Sequence, residues 1–241
     1  MSKVFVIPDV HLKPWIFKKA SESVNKKNYD VIVMLGDLVD DWDQEENLKL
    51  YNETFDAAIE FVTRYPNTRL CYGNHDVSYR FNRMESGFST YAADTVNNRL
   101  EELENNLRSG YSAYIHMIDK VLFSHAGLTK EFVERHFEMI QFPSKYDLNY
   151  IVNTINKMGA DDLWTDDSPI WTRPQKKYDG STLYPPDMMQ VVGHTPVRTA
   201  LEEKNLLTLD SFSTYRDGRP IGDERFVWVD TAKRTWRFTE E

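Results

Sequence analysis

Short apolar runs rich in β-branched residues alternate along the chain with longer stretches whose apolar positions recur every three or four residues. Residues 4–7 (Val-Phe-Val-Ile) and 30–35 (Asp-Val-Ile-Val-Met-Leu) have almost no polar interruption, the pattern of strands buried on both faces. Residues 68–72 form a third such run. Between the second and third, residues 45–64 place Leu48, Tyr51, Phe55, Ile59 and Val62 at helical spacing. Strand, helix, strand, helix and strand in that order predict an α/β fold that begins with parallel strands.

Further on, residues 78–110 read as polar helix with one stripe of Leu100, Leu103 and Leu107. Residues 111–117 and 121–123 return to strand, as a hairpin across Asp119-Lys120. Residues 129–137 predict a helix with Thr129 as its N-cap. The segment 140–188 is aromatic and loop-like, with prolines at 143, 169, 174, 185 and 186. Strands resume at 189–192, 206–209, 225–229 and 235–238 without helices between them, which predicts a second, more antiparallel sheet. With no linker and no repeat, 1–241 reads as a single domain, and 78–110 and 140–188 as insertions on the substrate side.

Composition narrows the function classes. At 41% hydrophobic residues the chain can build a packed core. A net charge of −9 without any Lys/Arg run argues against duplex nucleic acid as partner. No apolar run approaches the roughly 20 residues of a membrane span, and none resembles a signal peptide. Cys71, the single cysteine, has no internal partner, so a cytoplasmic location is expected.

Five short motifs follow predicted strands, where connecting loops collect functional groups. They are Asp9-Val10-His11, Gly36-Asp37-Leu38-Val39-Asp40, Gly73-Asn74-His75-Asp76, Ser124-His125-Ala126-Gly127 and Gly193-His194-Thr195. Four of them are individually common or weak signals, while Gly73-Asn74-His75-Asp76 is rarer as a chance match. Together they hold four of the six histidines, beside several carboxylates, which is the donor supply of a metal-dependent hydrolase. The remaining His116 and His136 read as structural, and Cys71 as a buried hydrophobe.

The ordered set resembles the calcineurin-like metallophosphoesterase superfamily, most closely the branch of Ser/Thr phosphoprotein phosphatases and symmetrical diadenosine tetraphosphate hydrolases. The resemblance implies two mixed β-sheets packed face to face with flanking helices, a four-layer sandwich. It also implies two divalent metal ions. Asp9 and His11 would bind the first, Asp37 would bridge both, and Asn74, His125 and His194 would complete the second. A solvent hydroxide between the cations would attack phosphorus, with His75 as general acid oriented by Asp40. Pro196 stands where other branches carry a second histidine, so the first metal has three protein ligands. Imidazole and carboxylate donors together suit manganese, iron or zinc better than magnesium.

Trp171-Thr172-Arg173 resembles the family segment that supplies a phosphate-binding arginine, so Arg173, beside Asn74, is expected to grip the phosphate. One departure stands out: Asp41-Trp42 replaces the arginine that phosphoprotein phosphatases place after the second aspartate. Arg80 or Arg83 is the expected substitute. Tyr146, Tyr150, Trp164, Tyr178 and Tyr184 read as an aromatic-packed lid loop rather than a base-stacking platform. Three functions follow: hydrolysis of a phosphomonoester on a small molecule, nucleotide or phosphoprotein; cleavage of a dinucleoside polyphosphate or phosphodiester; and a silent scaffold, against which the complete ligand set argues.

Overall fold

The structure, a computed structural model, describes residues 2–137, 148–176 and 182–240. It opens as expected with β1 (Lys3–Ile7), α1 (Trp15–Val24), β2 (Val31–Met34), α2 (Leu48–Arg64) and β3 (Thr68–Cys71). The three strands pair in parallel, Val4 opposite Val31 and Ile32 opposite Thr68. The stretch 78–110 is two helices, α3 (Asn74–Phe81) and α4 (Ala93–Asn106), the second burying Val96, Leu100 and Leu103. Because α3 begins at Asn74, the third motif occupies a first helical turn rather than a loop.

Residues 111–117 are not one strand. β4 (Ser112–Ala113) runs beside β3, while β5 (Ile115–Ile118) belongs to another sheet. Asn156 makes the break possible. Its Oδ1 accepts from the Tyr114 and Ile115 amides at 3.0 and 2.9 Å, and its Nδ2 donates to the Ile115 carbonyl at 2.9 Å. Backbone groups left unpaired where the chain changes sheets are thereby satisfied.

β6 (Val121–Ser124) forms the expected hairpin with β5, and α5 (Lys130–His136) is capped by Thr129, whose hydroxyl accepts from the Phe132 amide at 3.2 Å. The described parts of 140–188 are more helical than expected, with α6 (Leu148–Ile155), α7 (Ala160–Leu163) and a 3-10 turn at Pro174–Lys176. Ile151, Val152 and Ile155 give α6 its buried face, a helical spacing masked by the surrounding prolines and aromatics. Pro143, Tyr146 and Tyr178 lie outside the described residues. Then come β7 (Met189–Val192), β8 (Leu201–Glu203), β9 (Leu206–Thr208), β10 (Val227–Asp230) and β11 (Thr235–Phe238).

Two mixed sheets result, ordered β11-β10-β1-β2-β3-β4 and β5-β6-β7-β9-β8. The late strands do not form a sheet of their own. β10 and β11 return antiparallel to β1, with Lys3 opposite Asp230, while β6, β7 and β9 run parallel in the second sheet. The long excursion between β6 and β7 lets the chain re-enter in the same direction. Alternation along β1 shows the layering. Val4 and Val6 join Val33, Leu35 and Cys71 against Phe123, Val191 and Leu207 of the other sheet. Phe5 and Ile7 turn outward to Ile16, Phe17, Tyr51 and Phe55 of α1 and α2. No described helix is long and apolar enough to cross a membrane.

Hydrogen bonds lock the strand ends together. The Asp37 carbonyl accepts from the Val10 and His11 amides at 2.9 and 2.8 Å. Asp76, fully buried, takes the Gly73 amide on one oxygen at 2.9 Å and the Leu38 amide on the other at 2.8 Å. Deeper between the sheets, His116 of β5 donates through Nε2 to the Leu70 carbonyl of β3 at 3.0 Å, and burial pushes its pKa down to about 4.

Two stability predictions follow from these contacts. Asp76→Ala strands two buried amides and should cost about 2–5 kcal/mol in urea unfolding at neutral pH, with Asp76→Asn losing less. His116 titrates below its unfolded value, so its contribution is present above about pH 6.5 and lost as pH falls towards about 4. Wild type should lose about 2 kcal/mol more than His116→Gln between about pH 7.5 and about pH 5.

Candidate active site

Residues from separate strand ends meet in one cleft of about 410 Å³. His11 follows β1, Asp37 and Asp40 follow β2, Asn74 and His75 open α3, and His194 follows β7; all of them line it. Asp9 and His125 lie just behind, 1% and 0% exposed. His11, Asp37, Asp40 and His194 all adopt positive φ, between 44° and 64°, a conformation non-glycine residues hold only where the surroundings impose it.

Three imidazoles are oriented alike. His11 Nδ1 lies 2.8 Å from the Asp40 carbonyl, His125 Nδ1 lies 2.9 Å from the Leu35 carbonyl, and His194 Nε2 lies 3.0 Å from the Trp171 carbonyl. A carbonyl only accepts, so each outer nitrogen carries a proton, and the inner nitrogen of each ring is the one turned to the centre. The His125 inner nitrogen is 3.2 Å from Asp37 Oδ2, 2.9 Å from Asn74 Oδ1 and 3.0 Å from the His194 inner nitrogen. The His11 inner nitrogen is 3.8 Å from Asp37 Oδ2. An outer nitrogen anchored by protein and an inner one turned to the centre is how metal-ligating histidines are held.

The acids show the same mismatch without a cation. Asp9 Oδ2 accepts from the His194 amide at 2.7 Å, while its buried Oδ1 has no hydrogen-bond partner. Burial and the nearby Asp210 carboxylate push Asp9 well above the usual range. Burial would raise Asp37 too, but the His125, His75 and His11 rings outweigh it and hold its carboxyl well below. Burial opposes protonation of His125, yet Asp37 brings it to about 9; burial and His125 drive His194 well down. Donor atoms of Asp37, His125 and His194 lie close enough together to share one ion, as do those of His11, Asp37 and His75. Converging imidazole nitrogens and an orphaned carboxylate oxygen are what a divalent cation would satisfy, and the donor set fits such ions.

His75 sits on the cleft side of this cluster. Its Nδ1 donates to Asp40 Oδ2 at 3.0 Å, and its backbone amide donates to Asp37 Oδ1 at 3.0 Å. Tyr51 and Tyr79 hydroxyls both donate to Asp40 Oδ1, the first at 2.8 Å, and hold that carboxylate in place. Burial would depress His75, but Asp37, Asp40 and Glu85 raise it well above its ordinary value. Arg173 lines the cleft with Nη1 donating to the His194 carbonyl at 2.6 Å and to Thr195 Oγ1 at 3.1 Å.

The arginine expected from position 80 or 83 is not there. Arg80, in the last turn of α3, pairs with Glu104; Arg83, just past the helix end, pairs with Asp161; and neither lines the cleft. The cation beside Asp41 is Lys13, its Nζ 3.0 Å from Asp41 Oδ2 and 3.1 Å from the His11 carbonyl. Asp210 is a second residue the motifs did not include. It is 1% exposed, lines the cleft, and is held by the Ser213 hydroxyl at 2.9 Å. Its position just beyond β9 repeats that of the other acids and was a usable signal. Glu85 touches Asn74 and His75 from a connecting segment with no pattern to mark it. Among the aromatics, Trp164 packs edge-on against Phe81 and Trp171 rather than facing the centre.

A sequence model of the calcineurin-like phosphoesterase family matches residues 2–218. Among solved structures, a protein serine/threonine phosphatase from Saccharomyces cerevisiae, with similarity to human phosphatase PP5, aligns with a TM-score of 0.56 at 16% identity, over 94% of this chain and 72% of that one. An archaeal phosphodiesterase aligns over 98% of both chains at 14% identity and a TM-score of 0.42. YfcE, a phosphoesterase from E. coli, covers 95% of this chain and 88% of its own at 12% identity and a TM-score of 0.41. The yeast phosphatase supports the fold; the other two are too distant to carry an argument. A search of curated proteins finds no match. With strand-end donors converging as described and the family model spanning residues 2–218, the chain belongs to the calcineurin-like phosphoesterases, metal-dependent hydrolases of phosphoester bonds.

Proposed function

We propose that the protein hydrolyses a phosphomonoester, with Asp9, His11 and Asp37 holding one divalent transition ion and Asp37, Asn74, His125 and His194 the other. The observation that carries this reading is the convergence on Asp37 of the inner nitrogens of His11, His125 and His194, each ring anchored by a main-chain carbonyl on its outer side. When bound, the two ions would supply charge neutralisation for the phosphate and a nucleophilic water at neutral pH. His75 would give its Nε2 proton to the leaving oxygen, and Asp40 would keep the ring turned to do so. Arg173 would grip a non-bridging oxygen, with its guanidinium already steadied by the His194 carbonyl.

The cleft rim favours one phosphate over a chain of them. Asp41, Asp43 and Glu45 line it, and Lys13 and Arg216 are already paired with Asp41 and Asp43. A polyphosphate would therefore meet carboxylates beyond the metal centre. We read residues 1–241 as one domain, with Glu85 from the first insertion and Trp171 and Arg173 from the second facing the substrate.

Hydrolysis of para-nitrophenyl phosphate and its bis-ester, with manganese and after chelation, tests the reading. The monoester should be preferred, chelation should abolish turnover, and His75→Ala should lower kcat about 10²–10⁴-fold. Preference for the bis-ester would move the assignment to a diesterase, and turnover untouched by chelation would end the metal reading. Arg173→Ala should reduce kcat/KM about 10- to 100-fold, the value of a hydrogen bond to a charged group. Manganese at about 100 times its Kd should raise unfolding free energy by about 2.7 kcal/mol in urea melts.

A further inference from the structure

We propose that Glu85 is a positioning residue of this centre, clamping the Asn74 amide and the His75 ring at once; the inference rests on the metal-centre reading above. Glu85 lies in the connection between α3 and α4, its side chain only 7% exposed. Its Oε2 accepts from Asn74 Nδ2 at 2.9 Å. A carboxylate only accepts, so the amide nitrogen must face Glu85 and Oδ1 must face the opposite way. That direction is the centre, where Asn74 Oδ1 lies 2.9 Å from the His125 inner nitrogen. The flipped amide would aim two N–H groups at the place where cations would sit.

The other oxygen, Oε1, lies 2.8 Å from His75 Nδ1. The proton on that nitrogen is directed to Asp40, so Oε1 makes no hydrogen bond despite its burial. It flanks the ring from a second side, so Nδ1 is pinned between two carboxylates and Nε2 is left for the cleft. A tight turn brings this segment over the pair. Gly87 has φ +94°, and a Cβ there would lie 3.3 Å from Asp40 Cβ and 3.6 Å from His75 Cε1. A side chain at 87 would be strained and would press on the clamp it helps to close. The Asp40 carboxylate touches the His75 ring but not Asn74, whereas the Glu85 carboxylate reaches both the proposed acid and this proposed metal ligand.

A cycle of manganese affinities tests this, measured by isothermal titration calorimetry on wild type, Glu85→Ala, Asn74→Ala and the double variant. Glu85→Ala should weaken manganese about 10- to 100-fold, as loss of a residue supporting a metal ligand does. The double variant should bind no more weakly than Asn74→Ala, because a residue that acts through the amide has nothing left to orient. Additive losses, or a Glu85→Ala affinity within about twofold of wild type, would overturn the proposal. Should the alanine chain fail to fold, Glu85→Met, which fills similar space but cannot accept from the Asn74 amide, carries the same cycle with the same two readings. Wild type that binds no manganese would overturn the metal centre itself, a result distinct from failure of the clamp.

Discussion

Three buried carboxylates, Asp9, Asp37 and Asp210, share one small volume, and the structure around them is arranged to tolerate that. Negative charges out of water repel strongly and lose hydration. Backbone amides answer part of the cost: His194 donates to Asp9, His75 to Asp37 and Ser213 to Asp210. Histidine rings answer another part. Gly193 makes the closest approach, because a Cβ there would lie 1.9 Å from Asp9 Oδ1. What remains unanswered, chiefly the orphaned Asp9 oxygen, is the demand for cations.

The outer anchors of the histidines are main-chain carbonyls of Leu35, Asp40 and Trp171 rather than side chains. Ring orientation is therefore set by how the strand ends are laid against each other. Asp76 stitches the loop after β2 to the start of α3, so the two most crowded motifs move as a unit. The fold itself thus orients these three rings, through carbonyls rather than side chains.

The parallel start of the chain was readable because buried strands and amphipathic helices leave distinct periodicities, as residues 4–7 and the Tyr51, Phe55 and Val62 stripe show. The candidate site was legible as a cluster because its residues follow strands in short motifs. Sheet membership was not. Nothing local in residues 111–117 signals a change of sheet, since the group that permits it, Asn156, lies about forty positions away. The cation beside Asp41 was sought after the third motif and came from Lys13, because Arg80 in α3 and Arg83 past its end are engaged by Glu104 and Asp161. Glu85 had no motif at all; only its spatial neighbours give it meaning.

The single step from Ala113 in one sheet to Ile115 in the other has a consequence for motion. A covalent bridge one residue long, reinforced by the Cys71 thiol donating to the Phe123 carbonyl and by His116 reaching Leu70, leaves no slack for the layers to slide or part. Relative movement of the two layers is thereby opposed at this edge. Adjustment to a bulky substrate must come from the rim, where Trp42 and Arg216 are 54% exposed and ion-paired at the surface respectively. The floor is built to stay still while its edges accommodate.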